Sequence, residues 1–459
     1  MGGKASLLLV VGFSAIFLIF GNNYNTISSK AADNYFDYYL DITAHNIAVS
    51  GANMAARELF SNDKWVDGYS NLQLSGGLLN VSINNPFYEG NDKVKICHIP
   101  PGNPSNRHTI MVSQSAVAAH LAHGDTMGDC GDTVANQNQI ITIVSEGKVF
   151  GLNNEEITST VVVRIQPSSF SKFAYFSHSE GSNIWWTNKD TVWGPMHTND
   201  YLRAYRHPVF YDKVTTRKRI LYYSRHSYDY PIIHGDYQKG VYIPIPSDGV
   251  DKVEDQANLN GHVFSGHDDV YLLFDGDSIK YKFAEGDEYN AVLGANLTSN
   301  GIIFAQNANM HVEGTVKGRY TISVSGSGSK GSVYIDNNIV YNTSPMDNPE
   351  STDMLGIVSE KNVWISDNNA NNSGDIEIHA SIYCQEGKFG AENYRYRPRA
   401  GNINLVGGII QDTRGAVGTF GNSGGSGFGK RYRYDNRLLY VSPPAFPGTG
   451  KFEILSWYE

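Results

Sequence analysis

The first sixty residues follow a pattern of apolar and polar positions that predicts one long helix. The stretch from Ala5 to Phe20 contains no charged residue, which is typical of a segment that lies in lipid or in a filament core. From Ile27 to Leu59 the apolar residues recur mostly every three or four positions, so they form one stripe along a helix. The pattern predicts a transmembrane or assembly segment over residues 1–21 and an amphipathic continuation of the same helix over residues 22–62. A cleaved signal peptide is the alternative, but no small-x-small cleavage site follows the apolar stretch.

Beyond residue 62 the pattern changes to short alternating stretches that are bounded by Gly, Asn and Asp, which is typical of β-strands. An antiparallel meander is predicted over residues 63–175 and a connecting β region over 176–258. Repeated short strands with Asn-rich corners predict a β-helix (solenoid)-like domain over 259–440, with a β-sandwich as the competing architecture. A C-terminal strand is predicted over 441–459. The fold class is therefore mainly β with a long N-terminal α-helix.

Composition narrows the class of protein. The 459-residue chain has 47 glycines and 29 tyrosines, and only 18% of its residues are charged, as in extracellular β-rich proteins. Its formal net charge of −10 argues against a nucleic-acid partner, because such a partner requires a basic surface that neutralises phosphates. The acidic residues of the solenoid-like region stand at turns, where solvated acids are ordinary.

The N-terminal segment resembles type IV pilin-like proteins, and in particular the PilX-like accessory class. The features that carry the resemblance are a short basic start, the apolar stretch, and an alanine-rich helix end that reads AHNIAVSGANMAARELF over residues 44–60. The motif Gly194-Pro195-Met196-His197-Thr198-Asn199 and the C-terminal FEILSWYE also resemble this class. No glutamate lies between Ala5 and Gly21, where pilins usually carry one. The resemblance therefore implies an accessory or tip subunit, or a membrane anchor, on a plan of one helix and an antiparallel sheet.

Residues 94–131 form an insert of different character, with many histidines. Four of the chain's 14 histidines fall in it, together with two of its three cysteines: His98, His108, His120, His123, Cys97 and Cys130. The sequence predicts a hairpin with His98 and His108 on either side of its turn, followed by a short helix on which His120 and His123 share one face. The insert resembles a small Cys/His module of exported bacterial proteins, with the pattern CHxPPGNP…HTI…AHLxHGD…C.

The chemistry predicted for this insert is metal binding. Imidazoles that converge from a hairpin and a helix suit Zn²⁺ or Cu²⁺, and Asp125 would supply an oxygen or orient an imidazole. Cys97 and Cys130 are predicted to form a disulfide, since the compartment is oxidising and so short a segment has little core. A cysteine-ligated zinc site is the alternative, and so is a disulfide with ordinary surface histidines.

These features together predict a non-catalytic cell-envelope protein of a bacterium. It would be anchored in the inner membrane or assembled through residues 5–21, with its body periplasmic or extracellular, and its partners would be other pilin-like or envelope subunits, itself included. A metal-binding or metal-sensing surface protein is one alternative. A polysaccharide-active β-helix enzyme is another, and a surface or polysaccharide ligand is considered with it. One interpretation of the motif is a catalytic pair of His197 and Asp200, but a structural turn with hydrogen-bonding side chains is favoured.

Overall fold

The computed structural model describes residues 2–62, 65–85, 88–89, 93–98, 100, 108–113, 116, 119–120, 125–127, 140–151, 154–224, 226–419 and 425–459. Helix α1 runs without a break from Gly2 to Ser61, a length of 60 residues. The other described helices are α2 (His226–Asp229), α3 (Gly249–Asn260) and α4 (Gly294–Leu297), with 3₁₀ turns at Phe170–Lys172 and Asn436–Leu439. The remaining regular structure is β, so the predicted fold class is confirmed.

The strands are numbered in chain order. The first group is β1 (Tyr69–Leu74), β2 (Gly77–Asn84), β3 (Tyr88–Glu89), β4 (Lys93–His98), β5 (His108–Ser113), β6 (Thr126–Met127), β7 (Ile141–Phe150) and β8 (Glu156–Ser169). The second is β9 (Tyr175–Ser179), β10 (Trp186–Thr187), β11 (Thr191–Trp193), β12 (Met196–Thr198), β13 (Leu202–Tyr205), β14 (Val209–Phe210), β15 (Val214–Thr216), β16 (Ile220–Tyr222), β17 (Ile232–Ile233) and β18 (Tyr237–Lys239). The third is β19 (His262–Phe264), β20 (Asp269–Gly276), β21 (Ser278–Lys282), β22 (Asn290–Leu293), β23 (Ile302–Ala305), β24 (Asn309–Val316), β25 (Arg319–Val324), β26 (Val333–Tyr341), β27 (Met354–Ser359), β28 (Val363–Ile365), β29 (Ile376–Cys384), β30 (Phe389–Ala391), β31 (Arg399–Thr413), β32 (Gly418–Thr419), β33 (Ser426–Arg433) and β34 (Gly448–Tyr458).

The second half of α1 packs on an antiparallel sheet with the order β1-β2-β7-β8-β34. The helix meets the sheet through small side chains, among them the fully buried Ala44, Ala48 and Ala52. Gly147 in β7 lies against the helix backbone so closely that a Cβ there would stand 2.1 Å from the carbonyl oxygen of Ala44. Because small residues stand on both sides, the helix and sheet backbones approach closely. The C-terminal strand β34 completes this sheet beside β8.

The large body consists of short strands stacked in parallel. One ladder follows the order β19-β23-β25-β27-β29-β31-β9-β12-β15-β18, and every pair in it is parallel. A second parallel ladder follows the order β20-β24-β26-β29-β31-β33-β11-β14-β17. Sandwich sheets pair antiparallel strands, whereas both of these ladders are parallel, as the predicted solenoid-like domain requires. We call residues 175–433 the solenoid body.

The order of turns along the stack differs from the order along the chain. The chain enters the stack at β9 in its middle and proceeds to β18 at one end. It then returns to β19 at the other end and proceeds to β31, which pairs with β9. The sequence assigned residues 176–258 to a connecting β region. In the structure, strands β12, β15 and β18 of this region continue the parallel pairing that begins at β9.

A strap over residues 240–260, which includes α3, makes the return along the outside of the first ladder. It contacts successive turns through side-chain hydrogen bonds. The amide of Asn199 donates to the carbonyl of Ile243, and the backbone N–H of Val250 donates to Gln385 Oε1 at 2.8 Å. Val250, Val253 and Ala257 are buried against an aromatic cluster that includes Phe170, Phe173, Phe176 and Tyr383. The strap thus covers an apolar side of the solenoid body.

Candidate functional site

The inserted segment forms a small antiparallel sheet of its own. Strands β3, β4 and β5 pair in that order, and β6 also pairs with β4. In the β4–β5 pair, His98 lies directly opposite His108, and their ring centroids are 5.4 Å apart. The hairpin therefore places two of the four predicted histidine ligands side by side.

Asp125 joins His98 to His120. Its Oδ2 atom lies 2.8 Å from Nδ1 of His98 and 2.7 Å from Nδ1 of His120. The carboxylate is 0% exposed, whereas the two imidazoles are 29% and 28% exposed. A carboxylate that accepts hydrogen bonds from both Nδ1 atoms keeps a hydrogen on each of them, so both Nε2 atoms carry lone pairs when the rings are neutral. Asp125 thus fixes the orientation of two imidazoles at once.

These three residues have the geometry and chemistry of a metal-binding group. One ligand atom from each of His98, His120 and Asp125 lies within 4.8 Å of the other two. Metal–nitrogen bonds are about 2.0–2.1 Å long, and Asp125 would either supply an oxygen ligand or orient the two imidazoles toward the ion. Imidazole with carboxylate suits Zn²⁺, and a nitrogen-rich set also suits Cu²⁺. Among the described residues, His108 adds a further imidazole beside His98.

The structure describes only some of the cysteines and histidines that the sequence singled out. His123 and Cys130 lie outside the described residues. Cys97 is disulfide-bonded, and its predicted pairing with Cys130 stays a prediction. Because a disulfide sulfur is not a thiolate ligand, this bond removes Cys97 from the cysteine-ligated alternative. Cys384 is a free, buried thiol in β29, and burial raises its pKa.

Asp125 is the residue whose importance the sequence understated. Sequence reasoning gave it a supporting role, whereas the structure places it between the two imidazoles. The local signal is its position two residues after His123 in the string His-Gly-Asp, close to His120. No periodicity predicts that the carboxylate turns inward, because that orientation depends on contacts with the hairpin.

His197 and Asp200 do not form a catalytic pair. The ring nitrogens of His197 hydrogen-bond to Thr215 Oγ1 at 2.7 Å and to Asn199 Oδ1 at 2.9 Å. Asp200 instead forms ion pairs with Arg203 and Lys218. Burial lowers the pKa of His197 to about 4, so its imidazole is neutral near pH 7. Both residues therefore serve the structure of this turn.

A cleft of about 400 Å³ lies on the second ladder of the solenoid body and has the size for a surface ligand. Its lining includes Glu377, His379 and Arg431. The Glu377 carboxylate accepts a hydrogen bond from Asn404 Nδ2 at 2.7 Å, and His379 Nδ1 accepts one from the backbone N–H of Tyr341 at 3.1 Å. Burial lowers the pKa of His379, which keeps that ring neutral. The polysaccharide alternative stays a hypothesis for this cleft.

The two halves of α1 have opposite surroundings. Apolar side chains of the first half are exposed, with Leu8 74% and Phe17 72% exposed, whereas Ala44 to Leu59 pack on the sheet. Among the described residues, one helix, over Leu7–Ser61, is long and apolar enough to cross a membrane by length and composition. Its apolar first half lies near the N-terminus.

Three comparisons with known proteins give limited information. A family model described as a domain of unknown function, DUF4900, matches residues 141–218, which run from β7 into the solenoid body. No curated protein matches the chain. The solved structure of the competence-associated pilin ComZ from Thermus thermophilus aligns over 92% of this chain and 97% of that chain, at 13% identity and a TM-score of 0.34. Because that score is low, the architecture described above depends on the chain's own contacts.

Proposed function

We propose that this chain is a pilin-like subunit of the cell envelope, held in a membrane or in a filament core by the first half of α1. The proposal rests on the different surroundings of the two halves of α1, which is one unbroken helix. Its second half is buried on an antiparallel sheet, while apolar side chains such as Leu8 and Phe17 have no cover among the described residues. An exposed apolar helix of this kind is stable only in lipid or against other apolar helices.

The helix and the five-stranded sheet make one unit that would hold the solenoid body outside the cytoplasm. Other pilin-like or envelope subunits are the partners that this arrangement suits, because a row of apolar side chains along a helix packs well against a second helix of the same kind. The working role is structural, in assembly or adhesion, and it requires no catalytic group.

Membrane association of the full-length chain tests this proposal. Ile16→Lys places a charge in the apolar half, which costs about 2.5–3.5 kcal/mol at the centre of a membrane helix. We expect the native chain to stay with the membrane fraction through alkaline carbonate washing and the variant to be released. Asn23→Lys, outside the apolar stretch, is the matched control and should behave as the native chain does. A mature protein that lacks its first 20–30 residues in N-terminal mass spectrometry would overturn the proposal.

A second candidate function is metal binding in the insert, and the shared carboxylate of Asp125 favours it. The buried Oδ2 atom orients His98 and His120 as the outer partners of metal-bound histidines do. The test is titration of the chelator-treated full-length chain with Zn²⁺ and with Cu²⁺, with elemental analysis after dialysis. One equivalent that is lost in a His98→Ala/His120→Ala variant supports the function. Binding that is absent, or equal in the native chain and the variant, rejects it.

A further inference from the structure

The two ends of the solenoid body carry opposite charge. Residues 200–242, which lead through the turns that end at β18, contain eight Lys and Arg against four Asp, and one of these, Asp200, pairs with Arg203 and Lys218. Residues 265–296, which form the first turn of the other end, contain seven Asp and Glu against two Lys. We call these the basic end and the acidic end. The excess of positive charge at the basic end contrasts with the formal net charge of −10 of the whole chain.

The basic end terminates in strands that are paired on one side. Strand β16 pairs with β13, β17 with β14 and β18 with β15, and no further strand of the described chain continues these pairings. Several apolar and aromatic side chains are exposed around these edges: Tyr223 60%, Tyr228 64%, Tyr230 52%, Ile232 41%, Tyr237 41% and Tyr242 46%. Arg217 lies 4.7 Å from the Tyr242 ring centroid, so guanidinium and aromatic groups share this surface. Exposed strand edges with aromatic rims are typical of protein contact surfaces.

At the acidic end, additional strands continue the pairing of the outermost strand of the stack. Strands β21 and β22 fold back antiparallel on β20 and close the first turn. Asp268 and Asp277 already pair with Lys330 and Lys317 of neighbouring turns. The turn between β21 and β22 is exposed and carries Asp287 and Glu288, with the exposed Tyr289 beside them. This end therefore presents carboxylates together with aromatic surface.

We propose that the basic end of one copy of this chain docks on the acidic end of a second copy, so that solenoid bodies stack head to tail. Charge determines which end of the second copy docks on the basic end. Two ends of the same charge repel each other, whereas a basic end and an acidic end attract each other. The contact is heterologous, so each copy keeps one free end and the stack continues into a row. It uses surfaces far along the chain from the apolar half of α1, and it is therefore independent of the function proposed above.

Sedimentation velocity of the full-length chain in detergent, at low and at high salt, tests this contact. We expect self-association at 50 mM salt that weakens at 500 mM, since exposed charges are screened. Arg219→Glu/Lys239→Glu reverses the basic end, Asp287→Lys/Glu288→Lys reverses the acidic end, and each should weaken association by about tenfold or more. All four residues are exposed, so unchanged circular dichroism melting is expected and serves as the folding control.

A mixture of the two reversed variants provides the decisive measurement. Each variant alone carries two ends of the same charge, which repel. In the mixture, the unmodified acidic end of one variant faces the unmodified basic end of the other, and the two reversed ends are complementary to each other. The mixture should therefore regain self-association, with the two variants alternating in the stack, while each variant alone stays monomeric. Association that is independent of salt and of both reversals overturns the proposal, as does a monomeric native chain. Association caused by α1 in detergent would be unchanged by the reversals and so is distinguished.

Discussion

Arg414 donates a hydrogen bond from Nη1 to Glu180 Oε2 at 2.7 Å, although the two residues lie 234 positions apart in the chain. Both side chains are buried, with 2% and 0% exposed. Glu180 also accepts hydrogen bonds from Trp186 and Tyr175, and the Arg414 guanidinium lies 4.0 Å from the centroid of the Trp186 ring. This pair stands where β31, late in the chain, meets β9, the first strand of the solenoid body. The pair therefore connects the beginning of the solenoid body with a segment near its end, which are neighbours in the stack although they are distant in the chain.

Replacing Arg414 by Leu should destabilise the protein by about 3–5 kcal/mol, because the buried Glu180 carboxylate would lose its charged partner. Chemical denaturation of the full-length chain in detergent, followed by circular dichroism, measures the change. The control is Lys330→Leu, since its partner Asp268 is 83% exposed and such pairs contribute little. Equal effects at the two positions would contradict a special role for the junction.

Acid should destabilise the chain partly through His197. Burial lowers its pKa to about 4 in the folded state, from an ordinary value of 6.5. As the pH falls, the unfolded state therefore takes up the proton first, and the stabilising contribution present above pH 6.5 is lost between about pH 6.5 and 4. We expect His197→Gln to flatten this part of the stability–pH curve. If the native chain and His197→Gln show the same slope of stability against pH in this range, the assignment is refuted.

Gly147→Ala should loosen the packing of α1 on the sheet. The new Cβ would meet the carbonyl oxygen of Ala44 at 2.1 Å, so helix and sheet must separate. Overpacking of this kind costs about 1–3 kcal/mol. Gly374→Ala is the matched control, because a Cβ at Gly374 has open space around it. Thermal melting of both variants measures the difference, and a melting temperature of Gly147→Ala equal to the control would disprove the close contact.

Thiol titration should distinguish the cysteines. The Cys384 thiol is buried and burial raises its pKa, so the native chain should react with none of its cysteines at neutral pH. Denaturation without a reductant should expose one thiol if Cys97 pairs with Cys130, and reduction should release all three of the chain's cysteines. Three reactive thiols before reduction would exclude the pairing.

Asp125→Asn should weaken metal binding without removing the histidines. An asparagine can accept from one Nδ1–H but loses the negative charge, and the loss of such an orienting carboxylate typically costs 10–100-fold in affinity. Competition with a chromophoric chelator in the full-length chain measures this change. The exposed Asp287→Asn serves as the control for loss of one negative charge. An unchanged affinity in Asp125→Asn would mean that the carboxylate has no part in any site.

The sequence alone determined the features that depend on neighbours in the chain. The three-to-four spacing from Ile27 to Leu59 predicted the long helix, and the alternation of apolar residues predicted most strands, because these periods reflect the geometry of a single element. The hairpin that pairs His98 with His108 followed from the same local reasoning, and so did the strand at the C-terminus.

Only the tertiary structure decided how distant segments combine. The order of turns, with β31 against β9, depends on which strand edges pair and on buried partners such as Glu180 and Arg414. The spacing of apolar residues within one strand contains no information about such distant pairings. The inward position of Asp125 likewise depends on the hairpin beside it. Many sequences of short strands are compatible with several stacking orders, and the summed burial and hydrogen bonding of the complete stack selects one of them.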